Sequence, residues 1–148
     1  MNACALDDVH NLILSTLRSI PAFSDVTIYD GPPVGSDSPL KTVCVGDDGD
    51  PETDVESSFT QEWANLAKTR KRERGEIPCA VIAWDGSTAM EPKRAAVSVL
   101  LDAVGEAIRA LASDALTLEI TSGASRPVQN NKGAATQVPF TVSYTTTL

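Results

Sequence analysis

The chain has 148 residues, of which 42% are apolar and 22% charged, and its 20 acids against 12 bases leave a formal net charge of −8. A chain of this length buries roughly 70% of its unfolded surface on folding and can hold a core without disulfide or metal. The acidic balance argues against a binder driven onto nucleic acid by charge, the single histidine, His10, leaves any Ser-His-Asp triad or multi-histidine metal site short of ligands, and no apolar run of about 18 residues is present to cross a membrane.

The first residues, MNACALDDVHN, show neither a basic region nor a long apolar core, so no signal peptide is expected. Leu6, Val9, Ile13, Leu17 and Ile20 recur at three and four residues and predict a helix over 7–19, with Asp7 and Asp8 favoured by the dipole in its first turn, Arg18 in its last, and Pro21 as its stop. His10, beside Asn11, is expected on the polar surface of that helix. A short strand over 26–29 follows, then a loop containing Asp30-Gly31-Pro32-Pro33, then an alternating strand over 40–45. An acidic loop holds Asp47, Asp48, Asp50, Glu52, Asp54 and Glu56. Residues 57–64 read as a strand with Phe59, Gln61 and Trp63 on one face, and the basic stretch Lys68, Thr69, Arg70, Lys71, Arg72, Glu73, Arg74, Gly75 reads as the hairpin loop after it. In 77–84, Cys79, Val81 and Ala83 alternate with Ala80, Ile82 and Trp84, the pattern of a central strand covered on both faces. A long helix over 92–112 starts at Pro92 and carries Val97, Leu100, Leu101, Val104, Ile108 and Leu111 as one stripe; Gly105 within it costs about 1 kcal/mol against alanine unless a close backbone crossing requires it. A strand over 116–120, a turn at Ser122-Gly123, a short strand around Val128, a turn at 130–133 and a period-two strand through Val138, Phe140, Val142 and Tyr144 complete the chain. Pro139 removes a ladder donor, which predicts an edge strand or a bulge. The order of elements predicts a single α+β domain over 1–148, a mostly antiparallel sheet with two helices packed on one face.

Candidate chemistry is sparse. The acidic loop alternates like a set of oxygen ligands, but Gly49 falls between the first acids and strands flank it, so a solvated loop is favoured over a calcium site. Six carboxylates in ten residues repel, so the loop is expected to be mobile or neutralised by a partner. Asp85, before Gly86 and a helix, is read as a turn or cap residue rather than a catalytic group. Cys4, Cys44 and Cys79 cannot all pair within one chain, and buried, reduced thiols of a cytosolic protein are expected. No nucleotide-binding glycine motif is present. Residues 1–60 hold 11 acids and 2 bases, a net of −9, whereas 61–75 hold 5 bases and 2 acids, a net of +3. For the basic stretch a solvated hairpin loop is favoured over a nucleic-acid or anionic-surface patch, and the polarity makes Asp47, Asp48, Asp50, Glu52 and Asp54 on one side, and Lys68, Arg70, Lys71, Arg72 and Arg74 on the other, the candidate interface residues between neighbouring copies.

The linear pattern carries a resemblance. Tyr29-Asp30-Gly31-Pro32-Pro33, Val43-Cys44-Val45-Gly46-Asp47-Asp48-Gly49-Asp50-Pro51, the strand Gln61-Glu62-Trp63-Ala64-Asn65-Leu66, Cys79-Ala80-Val81-Ile82-Ala83-Trp84-Asp85-Gly86, the Ala-rich helix and an ending with Gln129, Gly133 and Val138-Phe140-Val142 follow one another in order. In this order and spacing the chain resembles the tail terminator proteins of long-tailed phages with non-contractile tails, especially phages of actinobacteria, over about residues 9–142. The resemblance implies a structural virion protein without catalysis or cofactor. It implies a hexameric ring that caps the tail tube, stops its polymerisation and offers the surface for head–tail joining. The implied partners are further copies, the tube protein and head-completion or connector proteins. DNA would pass through the ring without specific binding. The implied location is the tail neck of the virion, after assembly in the bacterial cytoplasm. The alternatives are another neck component, such as a head-completion or connector protein, and a cation-binding module outside the virion.

Overall fold

The computed structural model describes residues 3–33, 40–50, 54–85, 87–130 and 133–148. These form helix α1 (Leu6–Arg18), a short 3-10 turn (Pro21–Phe23), strands β1 (Thr27–Asp30), β2 (Lys41–Val45), β3 (Ser58–Trp63) and β4 (Lys71–Asp85), helix α2 (Glu91–Ala110), and strands β5 (Leu116–Gly123), β6 (Arg126–Asn130) and β7 (Gly133–Thr147). The architecture is α+β, a mixed and mostly antiparallel sheet in which only β1 and β2 run parallel.

Two antiparallel strands of 15 residues, β4 and β7, are the spine. Each is flanked by two shorter strands in tandem. Along β4, β3 pairs with the first half up to Glu76, and β2 takes over from Cys79. Along β7, β6 pairs up to Gln137 and β5 from Phe140 onward. The prolines sit at these two handovers. Gly46 N–H donates to Pro78 O at 2.7 Å, and Ala124 N–H donates to Pro139 O at 3.0 Å. In an extended strand a residue's nitrogen and carbonyl face the same edge, so each missing proline donor points into a seam where no ladder bond is due. β7 is therefore central, not the edge strand that Pro139 predicts. The irregularity expected there lies on its partner, as a register shift in β5 between Ile120 and Ser122. Ser122 and Gly123 belong to β5 rather than to a turn.

The core explains why the periodic segments fold as they do. Val9, Ile13, Leu14 and Leu17 of α1 and Val97, Leu100, Val104 and Ile108 of α2 share one buried cluster with Ile77, Cys79, Val81 and Ala83, the alternate residues of β4. Each of the Val, Leu and Ile side chains among them contributes about 1.5–3 kcal/mol on full burial. The helices touch each other; α2 lies on β4, β5 and β7, and α1 on β1 and β2. Gly105 crosses no backbone: a Cβ there would sit 3.5 Å from Arg109 Nη1 and 3.9 Å from Ile120 Cδ1, ordinary side-chain contact.

The opposite face of the sheet is covered along one half only. Cys44 and Ala80 are fully buried there, under residues 46–50. Gly49, at φ +80°, lies so close that a Cβ would stand 2.6 Å from Gln137 Nε2. That backbone and that clearance both demand glycine. On the other half, Thr60, Arg74, Glu76, Glu119, Ser143 and Thr145 line an open polar groove of about 630 Å³.

Candidate functional site

The described part of the acidic loop is held by its own chain, contrary to the expected mobile or partner-neutralised loop. Asp47 Oδ1 accepts from Gly49 N–H at 2.7 Å and Asp48 Oδ1 from Asp50 N–H at 3.0 Å, two Asx turns in succession. Gln137 Nε2 donates to Asp48 O, and Arg126 Nη1 lies 3.1 Å from Asp50 Oδ2. Asp48 is buried, while Asp54 and Glu56 are exposed on the run into β3. Glu52 lies outside the described residues. Among the described residues, no group of three or more His, Cys, Asp or Glu side chains is disposed to hold a metal ion.

The basic stretch is only partly a loop. The turn spans 64–70, and Lys71 to Gly75 form the first third of β4, in register with β3 from Trp63↔Lys71 to Phe59↔Gly75. Strand alternation sorts the charges. Arg72 and Arg74 face the open polar side, whereas Lys71, Glu73 and Gly75 face the helix side. The turn is braced by Asn65, whose Oδ1 accepts from Thr69 N–H at 3.1 Å and whose Nδ2 donates to Thr69 Oγ1 at 2.8 Å. Lys68 takes a positive φ of 55° within it. Arg72 reaches Glu62 at 3.6 Å, and Lys71 lies over the Trp63 ring at 5.1 Å. Among the described residues, Lys68, Arg70 and Arg74 make no ion pair. The predicted face of Phe59, Gln61 and Trp63 is present, with Phe59 45% and Trp63 51% exposed, and Leu66 at the turn is fully exposed.

Three polar clusters complete the chemistry. Glu73 is wholly buried. Its Oε2 accepts from Ala5 N–H at 2.8 Å and from Tyr144 O–H at 2.7 Å, and its Oε1 from Gln61 Nε2 at 2.7 Å. Ala5, the N-cap of α1, has no side-chain cap. Glu73 supplies that acceptor from the sheet and places a carboxylate at the positive end of the helix. Burial and the neighbouring Glu73 push the Tyr144 phenol well above its ordinary range. The sequence signal for Glu73 was its inward register opposite Gln61, legible once β4 is extended back to Lys71. Lys93, also buried, donates to Ser87 O at 2.8 Å and Ala89 O at 2.7 Å and pairs with Asp85 at 2.9 Å, tying the β4–α2 connection to the first turn of α2. His10 departs from its expected surface place. Its side chain is 18% exposed, and Nε2 lies 2.7 Å from Asp30 Oδ1. A Cβ on Gly46 would come within 2.6 Å of its ring.

Cys44 and Cys79 are buried free thiols, as expected. Burial, reinforced at Cys44 by the Asp47 and Asp48 carboxylates, pushes each up to about 12. Neither is a thiolate nucleophile at neutral pH.

Asp85 has the turn role its position predicts, accepting from Ser87 N–H at 2.8 Å and Ser87 Oγ at 2.7 Å. Those bonds, then Lys93, hold its carboxyl down at about 2 against an ordinary 3.8. A carboxyl depressed in the folded state stabilises above its unfolded pKa and loses that contribution as pH falls through the folded one. Asp85 therefore adds stability above about pH 4, and the addition fades between about pH 4 and about pH 2. Asp85→Asn is expected to lower the urea midpoint at neutral pH and to flatten the decline across that interval. Superimposable stability–pH curves for the two proteins would remove this role.

No protein-family model matches the chain, and no curated protein matches it. The functional reading therefore stands on surfaces. The structure places Lys68 and Arg70 in the turn after β3 and Lys71, Arg72 and Arg74 on alternate faces of β4, and it packs Asp47, Asp48 and Asp50 against the sheet while Asp54 lies on the run into β3. It does not bring the two sets together within the chain.

Proposed function

We propose that the protein is a structural assembly component of a phage tail, a terminator whose copies form a hexameric ring on the end of the tail tube, stop its growth and present the surface for head–tail joining. The observation that carries this reading is the β3–β4 hairpin. A chain of net charge −8 puts Lys68 and Arg70 in the projecting turn and Lys71, Arg72 and Arg74 in the strand that leads from it, and exposes Trp63 and Leu66 beside the turn. Apolar groups rimmed by charge mark a surface to be covered by another protein. The resemblance in the order and spacing of the loops supplies the kind of assembly. Closed symmetry makes weak subunit contacts cooperative, so copies that are monomeric in dilute solution associate on a tube that presents several sites at once. An acidic ring suits the passage of DNA, since a negative lumen repels the duplex rather than gripping it.

The test is to polymerise the tube protein of the same phage with and without this protein and image the products by negative stain. Capped tubes of bounded length, with a ring at one end, are expected. Tubes of unlimited length with bare ends would overturn the reading. Deleting the gene is expected to give overlong tails that fail to join heads.

A further inference from the structure

We propose that copies of this chain join head to tail, with the β3–β4 hairpin of one copy seated in an apolar notch on the sheet of the next; the inference rests on the self-assembly part of the reading above. The notch has a volume of about 310 Å³ and is walled by Val55, Pro78, Ala124 and Pro139. It lies where both tandem pairs of strands hand over, and the two proline rings with Val55 and Ala124 make its walls apolar. Asp48 lines it, and the exposed Asp54 and Glu56 flank Val55.

The hairpin is the complement in shape and in sign. It ends in the 64–70 turn, Leu66 and Trp63 are its exposed apolar groups, Lys71 lies over Trp63, and Lys68 and Arg70 follow in the same turn. The Asn65 brace already orders the turn, so docking costs little further conformational entropy. A chain cannot fill its own notch: Lys71, at the root of the turn, and Pro78 are seven residues apart along extended β4, about 23 Å, and the hairpin points away from the notch. Opposite charges and opposite shapes at separate places on one chain define a heterologous contact. Each added copy then leaves one hairpin and one notch free until a ring closes.

The experiment uses the full chain in sedimentation velocity at low and high salt. At high protein concentration wild type is expected to associate, and more weakly at about 0.5 M salt than at about 0.05 M. The hairpin variant Lys68→Glu/Arg70→Glu and the notch variant Asp54→Lys/Glu56→Lys are each expected to associate about tenfold more weakly or worse. Mixed in equal amounts they are expected to recover, because the acidic hairpin then meets a basic notch and the basic hairpin an acidic one. Leu66→Asp changes a fully exposed residue and is expected to weaken association without changing the melting temperature.

The inference is overturned if either charge variant associates like wild type or if the mixture stays monomeric. It is overturned also if wild type is monomeric at every concentration while Leu66→Asp abolishes tube capping, since the hairpin's partner is then the tube protein. Capping retained by both charge variants would sink this contact and leave the terminator reading standing. Association through this contact with no capping of any tube would support the contact and sink that reading.

Discussion

Glu73→Ala is expected to cost about 3–5 kcal/mol, which for a domain of this size lowers the melting temperature by about 2–4 °C per kcal/mol. The reason is how many groups lose their acceptor at once. The carboxylate takes bonds from Ala5 N–H, Tyr144 O–H and Gln61 Nε2. Gln61 is only partly buried and can turn to water, but the acceptor for the two bonds at Oε2 is lost inside the protein. Each buried donor left without a partner costs about 1–3 kcal/mol, and the space left by the removed carboxyl adds to that. Glu73→Gln is the informative companion. Its amide oxygen can keep the Ala5 and Tyr144 bonds while its nitrogen faces the Gln61 donor, so about 1 kcal/mol is expected. Urea midpoints measure both. Hydrogen exchange adds a readout of place: amides in the first turn of α1 should exchange faster in Glu73→Ala than those of its last turn. A loss below about 1 kcal/mol in Glu73→Ala would mean that the network is not what anchors the helix.

This network also marks where reading the sequence succeeded and where it stopped. Both helices, the inward alternation of β4 from Ile77 and that of β7 through Tyr144 were legible, because burial on one side imposes a period of 3.6 or 2 on the residues themselves. The first third of β4 was not. Five cations among eight residues read as a solvated loop, yet a strand paired on both edges needs only alternate residues turned inward. Arg72 and Arg74 take the wet side, and the inward places fall to Glu73 and Gly75, which no hydrophobic pattern flags.

The prolines were half legible. A missing N–H is a property of the residue, so an irregularity at Pro139 could be expected. That two short strands meet along that edge depends on residues far away in sequence. The acidic loop failed for the same reason: Gln137 and Arg126, which hold Asp48 and Asp50, lie on β7 and β6. Of the candidate interface residues, the hairpin cations could be named from charge alone. The notch could not, because Val55, Pro78, Ala124 and Pro139 come from four separate segments and meet only in the folded sheet.

Gly75→Ala is expected to cost about 3 kcal/mol, the upper end of what overpacking usually exacts. Gly75 pairs directly with Tyr144 across the two spine strands, and the phenol occupies the space where a side chain at 75 would start. A Cβ at Gly75 would overlap Cε1, Cζ and Oη of that ring. Most clashes with a side chain relax by rotation, but this ring is buried and its hydroxyl is tied to Glu73, so moving it breaks the bond that anchors α1. A double-mutant cycle separates this steric cause from strand propensity. Tyr144→Ala alone should cost about 3–5 kcal/mol through lost burial and the lost hydrogen bond. With the ring gone, the three nearest atoms to a Cβ at Gly75 are removed, and alanine brings the strand about 0.5–1 kcal/mol over glycine. The two changes are therefore expected to couple by about 3.5–4 kcal/mol, with Gly75→Ala destabilising only when Tyr144 is present. Additive losses would place the cost of Gly75→Ala in the backbone rather than in the ring, and the glycine would then be accounted for by its own conformation instead of by the tyrosine that covers it.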